Sequence, residues 1–75
     1  MNFSKHYRNL YSLLWASAKE LECSIDKKAL AEALDYLEDN EYGLACECLL
    51  AEIKKHNLSP PPSLVKAAKK MDILS

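Results

Sequence analysis

The chain has 75 residues, of which 49% are apolar and only one is a glycine. Ten Lys plus Arg against eleven Asp plus Glu give a formal net charge of −1 at pH 7, so no overall charge directs the protein to nucleic acid or to an anionic membrane. The apolar content excludes a disordered tail, and the length predicts one domain, residues 1–75, with a single small core. A chain of this size buries only about 60% of its unfolded surface, so we expect marginal stability.

The first predicted helix begins near Ser4, a residue type that suits an N-cap. Its apolar residues recur with the i, i+3, i+4, i+7 spacing of an amphipathic helix. They are Tyr7, Leu10, Tyr11, Leu14, Ala18 and Leu21. Polar residues interrupt this segment too often for a signal peptide or a membrane span, so we expect a cytoplasmic protein.

The second predicted helix covers Lys27–Glu38 and follows a short connection in which Ser24 or Asp26 can cap it. Its apolar face consists of Leu30, Ala33, Leu34 and Leu37. After this helix the sequence EDN, residues 38–40, breaks the pattern. The connection to the next helix is so short that the two helices must pack as an antiparallel hairpin.

Asn40 is predicted to cap the third helix, which runs from Glu41 to about His56. Its main apolar stripe consists of Tyr42, Ala45, Cys46, Leu49 and Ile53. A second apolar set on the opposite side consists of Leu44, Cys48 and Ala51. A helix that is apolar on two sides is usually buried on two sides. We therefore expect this helix at the centre, with the second helix on one face and the first or fourth helix on the other.

The chain's glycine, Gly43, falls within the first turn of the third helix. Without a Cβ it would let another backbone or a bulky ring approach closely, and Tyr36, Tyr11 and Trp15 are the candidates for that neighbour. The alternative is a glycine that is tolerated near a helix start, where it costs less than the roughly 1 kcal/mol of a mid-helix glycine. The sequence leaves both interpretations open.

Three consecutive prolines in NLSPPPS, residues 57–63, end the third helix and supply the first turn of a fourth. The fourth helix is predicted from Pro61 or Pro62 to Ile73. It carries Leu64, Val65, Ala68 and Met71 inward and Lys66, Lys69 and Lys70 outward. Four periodic segments without an alternating strand pattern predict an all-α fold, a small antiparallel bundle of about four short helices.

The segment EYGLACECLLAEI, residues 41–53, resembles the signature of small MafI-type immunity proteins, which belong to bacterial polymorphic-toxin and contact-dependent growth inhibition systems. The matching positions are Glu41, Tyr42, Gly43, Leu44, Ala45 and Glu47. The layout from Lys27 to Met71 is similar too, with an amphipathic helix before the signature and a short helix after a linker. The resemblance implies a small helical inhibitor that binds and neutralises one cognate toxin domain, often a nuclease, in the cell that makes it.

Acidic residues on the second helix form a candidate partner-binding surface, which we call the acidic stripe. It consists of Glu32, Asp35, Tyr36, Asp39 and Glu41. At about 100° per residue, the first four fall within about a third of the helix circumference, and the fifth extends the negative charge around the turn. A charged helical face is most often only solvated surface. A tyrosine among carboxylates also suits an interface anchor with a steering field for the basic, phosphate-binding cleft of a nuclease.

Residues that could carry chemistry are few. His6 and His56 lie on different predicted helices without an acidic or cysteine partner at catalytic spacing, so we interpret them as solvated residues at helix ends and expect no enzyme activity. Cys23, Cys46 and Cys48 lack CxxC spacing, and we expect free thiols in a reducing compartment. The sequence therefore predicts neither a metal site nor a cofactor.

Two other function classes stay open. Lys66, Lys69 and Lys70 on the fourth helix would suit a small nucleic-acid-binding regulator, although three lysines without base-reading Arg or Asn favour no direct contact with nucleic acid. A helical adaptor or secretion chaperone is the second alternative. The leading hypothesis remains an inhibitor that blocks a toxin domain stoichiometrically, is monomeric before it binds, and contacts neither nucleic acid nor membrane.

Overall fold

The computed structural model describes residues 3–71, and the side chains of residues 9–71. Within residues 3–71 the chain forms four α-helices and no strand, so the predicted all-α fold is confirmed. The helices are α1 (Phe3–Leu21), α2 (Lys27–Glu38), α3 (Tyr42–Lys55) and α4 (Pro62–Lys70). The side chains of His6 and Tyr7, and residue Ile73, lie outside the described part. None of the four helices is long and apolar enough to cross a membrane.

Two helices, α1 and α3, each contact all three of the other helices. The most extensive contact joins α2 to α3, which confirms the predicted hairpin, and the next joins α1 to α4. Between α2 and α4 the described residues make no contact. The two helices therefore lie on opposite sides of the α1 and α3 pair.

The core is built from the apolar faces that helical spacing predicts. Its buried apolar residues are Leu10, Leu14, Ala18, Leu21, Ile25, Ala33, Leu37, Ala45, Cys46, Leu49, Ile53, Leu64, Ala67 and Ala68. The other residues predicted to face inward are less buried than expected: Tyr11 is exposed, and the partly buried ones are Leu30, Leu34, Tyr42, Val65 and Met71. Full burial of a leucine side chain contributes about 1.5–3 kcal/mol, so the six leucines of the buried set make a large contribution to the stability of the fold.

The contact between α1 and α4 contains the one buried polar side chain of residues 9–71, Ser17. Its hydroxyl donates to the Leu13 carbonyl oxygen at 2.7 Å, and its oxygen lies 2.9 Å from the hydroxyl oxygen of Ser63. Ser63 also reaches the Glu20 carboxylate at 3.2 Å. The buried hydroxyl is thus satisfied, and the two serines fix how α4 sits on α1.

The turn between α2 and α3 depends on a residue in the left-handed region. Asn40 has a φ of 61° and follows Asp39, the C-cap of α2, and the N–H of Glu41 donates to the Tyr36 carbonyl oxygen at 2.8 Å. The Asn40 N–H also donates to the Leu37 carbonyl oxygen at 3.1 Å. Together the two hydrogen bonds form a Schellman motif, whose left-handed residue can be an asparagine. The prediction that Asn40 caps α3 is therefore wrong. Glu41 occupies that position, without a capping bond from its side chain.

The other helix ends agree in part with the sequence. The helix already includes Phe3, so Ser4 lies inside α1 and is not its N-cap. Asp26 does occupy the N-cap of α2, but its side chain makes no capping bond. A second left-handed asparagine, Asn57 with a φ of 56°, follows α3.

One apolar side of α3 is not buried. Leu44 is 45% exposed and Ala51 is exposed. Cys48 is partly buried against α2, where its thiol donates to the Ala29 carbonyl oxygen at 3.5 Å. The prediction that α3 is buried on two sides is thus wrong for Leu44 and Ala51. The reason is that α4 packs mainly on α1 and leaves this strip of α3 uncovered.

Gly43 has no close neighbour. A Cβ built on it would meet no atom within 4 Å beyond its chain neighbours and its own helix backbone. The predicted close approach by Tyr36, Tyr11 or Trp15 is therefore wrong. The structure instead agrees with a glycine tolerated near a helix start. The Tyr11 ring packs edge to face on Tyr42, with 6.5 Å between ring centroids.

Candidate functional site

The acidic stripe lies on the surface as the helical spacing predicts. Glu32, Asp35 and Asp39 are exposed on one face of α2, and Glu41 is exposed immediately after the turn. No ion pair among residues 9–71 involves any of these four carboxylates. Because no basic side chain among residues 9–71 lies within 4.0 Å of them, their charges are directed into solvent, where they can act on an approaching partner.

Tyr36 differs from the carboxylates around it. It is partly buried and packs against the core, while part of its side chain stays accessible. A ring held in this way loses little rotamer freedom when a partner covers it. Tyr36 therefore combines the surface position and the rigidity that an interface anchor needs.

The signature segment divides between core and surface. The six matching residues are Glu41, Tyr42, Gly43, Leu44, Ala45 and Glu47. Ala45 is fully buried. Tyr42 is partly buried, and its hydroxyl donates a hydrogen bond to Oδ1 of Asn40 at 2.9 Å. Leu44 and Glu47 are exposed. Part of the signature thus maintains the α2–α3 turn and the core, and part is available to a partner.

Trp15 is an exposed residue that the sequence interpretation missed. It is 46% exposed, and the Lys19 ammonium lies 5.7 Å from its ring centroid. Lys19 in turn pairs with Glu22 at 2.9 Å. The signal was present in the spacing, because Trp15 lies about 100° around α1 from the buried Leu14.

A shallow groove lies where α1 ends beside α2. It encloses about 470 Å³. Its lining consists of Glu22, Cys23, Lys27, Leu30, Ala31 and Leu34. Leu30 and Leu34 line this groove, which explains why they are less buried than their spacing predicts.

The lysines of α4 form a surface of the opposite sign. Lys66, Lys69 and Lys70 are all exposed, and two of them lie in the last turn, where the helix dipole favours a positive charge. Since α2 and α4 lie on opposite sides of the α1 and α3 pair, the acidic and basic surfaces are well separated.

A polar cluster joins the start of α2 to the end of α3. Lys55 donates to Oδ2 of Asp26 at 2.9 Å, which lowers the pKa of Asp26 and raises the pKa of Lys55. Nε2 of His56 lies 3.3 Å from Oε1 of Glu52 and 3.9 Å from Oδ1 of Asp26. The prediction that His56 has no acidic partner at catalytic spacing is therefore wrong. Glu52 lies one turn earlier on α3, and the hairpin brings Asp26, thirty positions away in sequence, next to His56.

The three cysteines are free thiols, as predicted. Cys46 is fully buried, and this burial raises its pKa to about 11. Burial also raises the pKa of Cys48, with smaller contributions from the carboxylates of Glu32 and Glu52. Cys23 alone is exposed. A thiol with a raised pKa is a poor nucleophile, so Cys46 and Cys48 serve the packing of α3.

Comparison of the chain with models of known families, with characterised proteins and with solved structures gave no match. The resemblance of residues 41–53 to immunity proteins therefore stays a prediction. The physical properties of the surface and the signature segment are the basis on which a function can be proposed.

Proposed function

We propose that this protein is an immunity-type inhibitor, which binds one cognate toxin domain and blocks its active or substrate-binding surface without catalysis of its own. The observation that carries the proposal is the acidic stripe, whose exposed carboxylates surround the partly buried ring of Tyr36 and form no ion pair among residues 9–71. The resemblance of residues 41–53 to immunity proteins supplies the class of partner. The site of action is the cytoplasm.

A nuclease is the partner that this surface fits best. Nucleases bind phosphates through basic clefts, and the stripe offers carboxylates to the same cationic groups. Opposite charges also raise the association rate above the roughly 10⁵–10⁶ M⁻¹s⁻¹ of neutral surfaces, which helps an inhibitor to capture a toxin before damage occurs. Because the stripe is exposed, this advantage should decrease as salt concentration rises.

The size of the protein is compatible with this mode of binding. A standard interface covers about 800 Å² of each partner, which is roughly a sixth of the 5081 Å² surface of this chain. An interface centred on Tyr36 would therefore include the carboxylates on both sides of it. Truncation of a central aromatic anchor commonly costs ≥2 kcal/mol of binding free energy, or about thirtyfold in Kd.

A protection assay tests the proposal. The proposal predicts that the gene directly before this one encodes a large secreted protein, and the C-terminal domain of that protein is the partner to be assayed. Nuclease activity of this domain is measured with and without the wild-type inhibitor, and with Asp35→Lys, Tyr36→Ala and the double variant. The matched control is Lys69→Glu on α4, which also reverses one exposed charge.

We expect the double variant to lose protection, with a Kd at least thirtyfold higher and a weaker dependence of the association rate on salt. Lys69→Glu should protect as the wild type does. Full protection by the double variant, with unchanged affinity and salt dependence, would reject the acidic stripe as the interface. Absence of any binding to the domain would reject the inhibitor function itself.

The exposed lysines of α4 support a second candidate, a nucleic-acid-binding regulator. Phosphate contacts would give binding to DNA or RNA that weakens steeply with salt, and Lys69→Glu would reduce it. Under the inhibitor proposal neither effect occurs. One salt titration with labelled DNA and RNA therefore separates the two functions, and a secretion chaperone would differ from both by leaving its client active.

A further inference from the structure

The open end of the α2–α3 hairpin brings together three side chains that metals bind. Asp26 lies at the N-cap of α2, and Glu52 and His56 are one turn apart at the end of α3. One ligand atom from each residue lies within 4.8 Å of the other two. The Glu-x-x-x-His spacing places two of them on one helix face, and the hairpin adds the third.

The distances in this cluster are close to those of a coordination shell. Nε2 of His56 is 3.3 Å from Oε1 of Glu52 and 3.9 Å from Oδ1 of Asp26. Ligand atoms bonded at about 2.0–2.2 Å to a tetrahedral zinc ion are about 3.3–3.6 Å apart. The His56 and Glu52 atoms already have this separation, and Oδ1 of Asp26 would have to move a few tenths of an ångström closer to Nε2 of His56.

The environment of Glu52 is a second observation that points to a cation. Its side chain is only 13% exposed, and it has no lysine or arginine within 4.0 Å among residues 9–71. Its oxygen Oε1 faces His56 at 3.3 Å and accepts from the Asp26 N–H at 3.5 Å. Lys55 acts on this carboxylate electrostatically, and a metal ion bound at Oε1 would add a positive charge in direct contact with it.

The position of Lys55 leaves the cluster open to an ion. Its ammonium binds Oδ2 of Asp26, so the other carboxylate oxygen, Oδ1, remains directed at His56. Lys55 thus holds Asp26 in a suitable orientation without occupying the ligating oxygen.

We propose that Asp26, Glu52 and His56 bind a divalent transition-metal ion of the zinc class, with water in the remaining coordination positions. Two carboxylates and a neutral imidazole balance the charge of such an ion, and the imidazole favours zinc, cobalt, nickel or copper over magnesium and calcium. The ion links α2 to the end of α3 and stabilises the fold. The site is independent of the proposed function, since it lies at the end of α2 opposite Asp39.

The test uses the full chain with Cys23→Ser, which removes the exposed thiol as a competing ligand. Zn²⁺ is titrated by calorimetry, the Tm is recorded with and without excess Zn²⁺, and Co²⁺ serves as a spectroscopic probe. We expect one Zn²⁺ per chain, a rise in Tm of at least about 4 °C, and a Co²⁺ spectrum of oxygen and nitrogen ligands without a thiolate band. Mg²⁺ should produce no comparable shift.

Variants locate the ion. His56→Asn and Glu52→Gln should each weaken Zn²⁺ binding at least tenfold and abolish the rise in Tm, while His6→Asn, which alters the chain's other histidine, leaves both unchanged. Because His56 is at the surface, His56→Asn should fold without metal, as circular dichroism would verify. Equal Zn²⁺ binding by the wild type and His56→Asn, or no binding at millimolar Zn²⁺, would show that the cluster is an ion-pair network only.

Discussion

The two sides of α3 differ in burial far more than in composition. One side carries Leu49 and Cys46, which are fully buried, and the other carries Leu44, which is 45% exposed. Both sides are apolar in the sequence, so hydrophobicity alone does not separate them. What separates them is the position of α1 and α2. Apolar spacing identifies possible core faces, and packing decides which of them is buried.

The largest expected effect comes from shortening a leucine on the buried side. Leu49→Ala should lower the free energy of unfolding by about 2–5 kcal/mol, because it removes buried apolar surface and leaves a cavity. Leu44→Ala is the matched control on the exposed side and should change it by less than about 0.5 kcal/mol. Urea unfolding followed by circular dichroism measures both values. Similar losses for the two variants would contradict the assignment of the buried side.

A smaller effect on the buried side should appear at high pH. Burial raises the pKa of Cys46 from its ordinary value of 9.0 to about 11, so the folded state keeps a proton that the unfolded state releases. The free energy of unfolding should therefore decrease as pH rises from 9 towards 11, by up to about 2–3 kcal/mol. The contribution is fully present below pH 9.

The measurement compares wild type and Cys46→Ala by urea unfolding at pH 8 and pH 10.5. Lysine and tyrosine titrations affect both chains, so the difference between their pH dependences isolates Cys46. We expect the wild type to lose more stability than the variant over this range. Parallel losses would mean that the thiol is not protected from ionisation.

The smallest expected effect is a gain at the start of α3. Gly43→Ala should raise the free energy of unfolding by about 0.4–1 kcal/mol, because alanine reduces the freedom of the unfolded chain and a Cβ meets no atom within 4 Å. Thermal unfolding would show the gain as a Tm increase of a few degrees. A loss of stability would indicate a close approach to Gly43 that the structure does not contain.

The sequence predicted well what depends on local spacing. The bounds of α2 and the buried faces of the helices follow from apolar residues three and four apart. The acidic stripe was predictable for the same reason, since Glu32, Asp35 and Asp39 recur along one helix face. These features require no knowledge of how the helices pack.

Other features depend on distant parts of the chain. Asparagine suits both an N-cap and a left-handed C-terminal position, so the role of Asn40 depends on where the hydrogen bonds of α2 end. The pairing of Asp26 with His56 requires the hairpin, and the exposure of Leu44 requires the position of α4. Trp15 was missed because a tryptophan beside a core stripe is equally compatible with burial.

The attachment of α4 has a consequence for the dynamics of the fold. This helix has nine residues, contacts chiefly α1, and does not touch α2. A helix of nine residues is not stable alone in water, so its amide hydrogens are protected from exchange only while it stays docked on α1. Local opening of α4 would leave the α2–α3 hairpin and its contact with α1 intact. We therefore expect α4 to exchange its hydrogens first, with the Ser17 and Ser63 contact setting the rate of that opening.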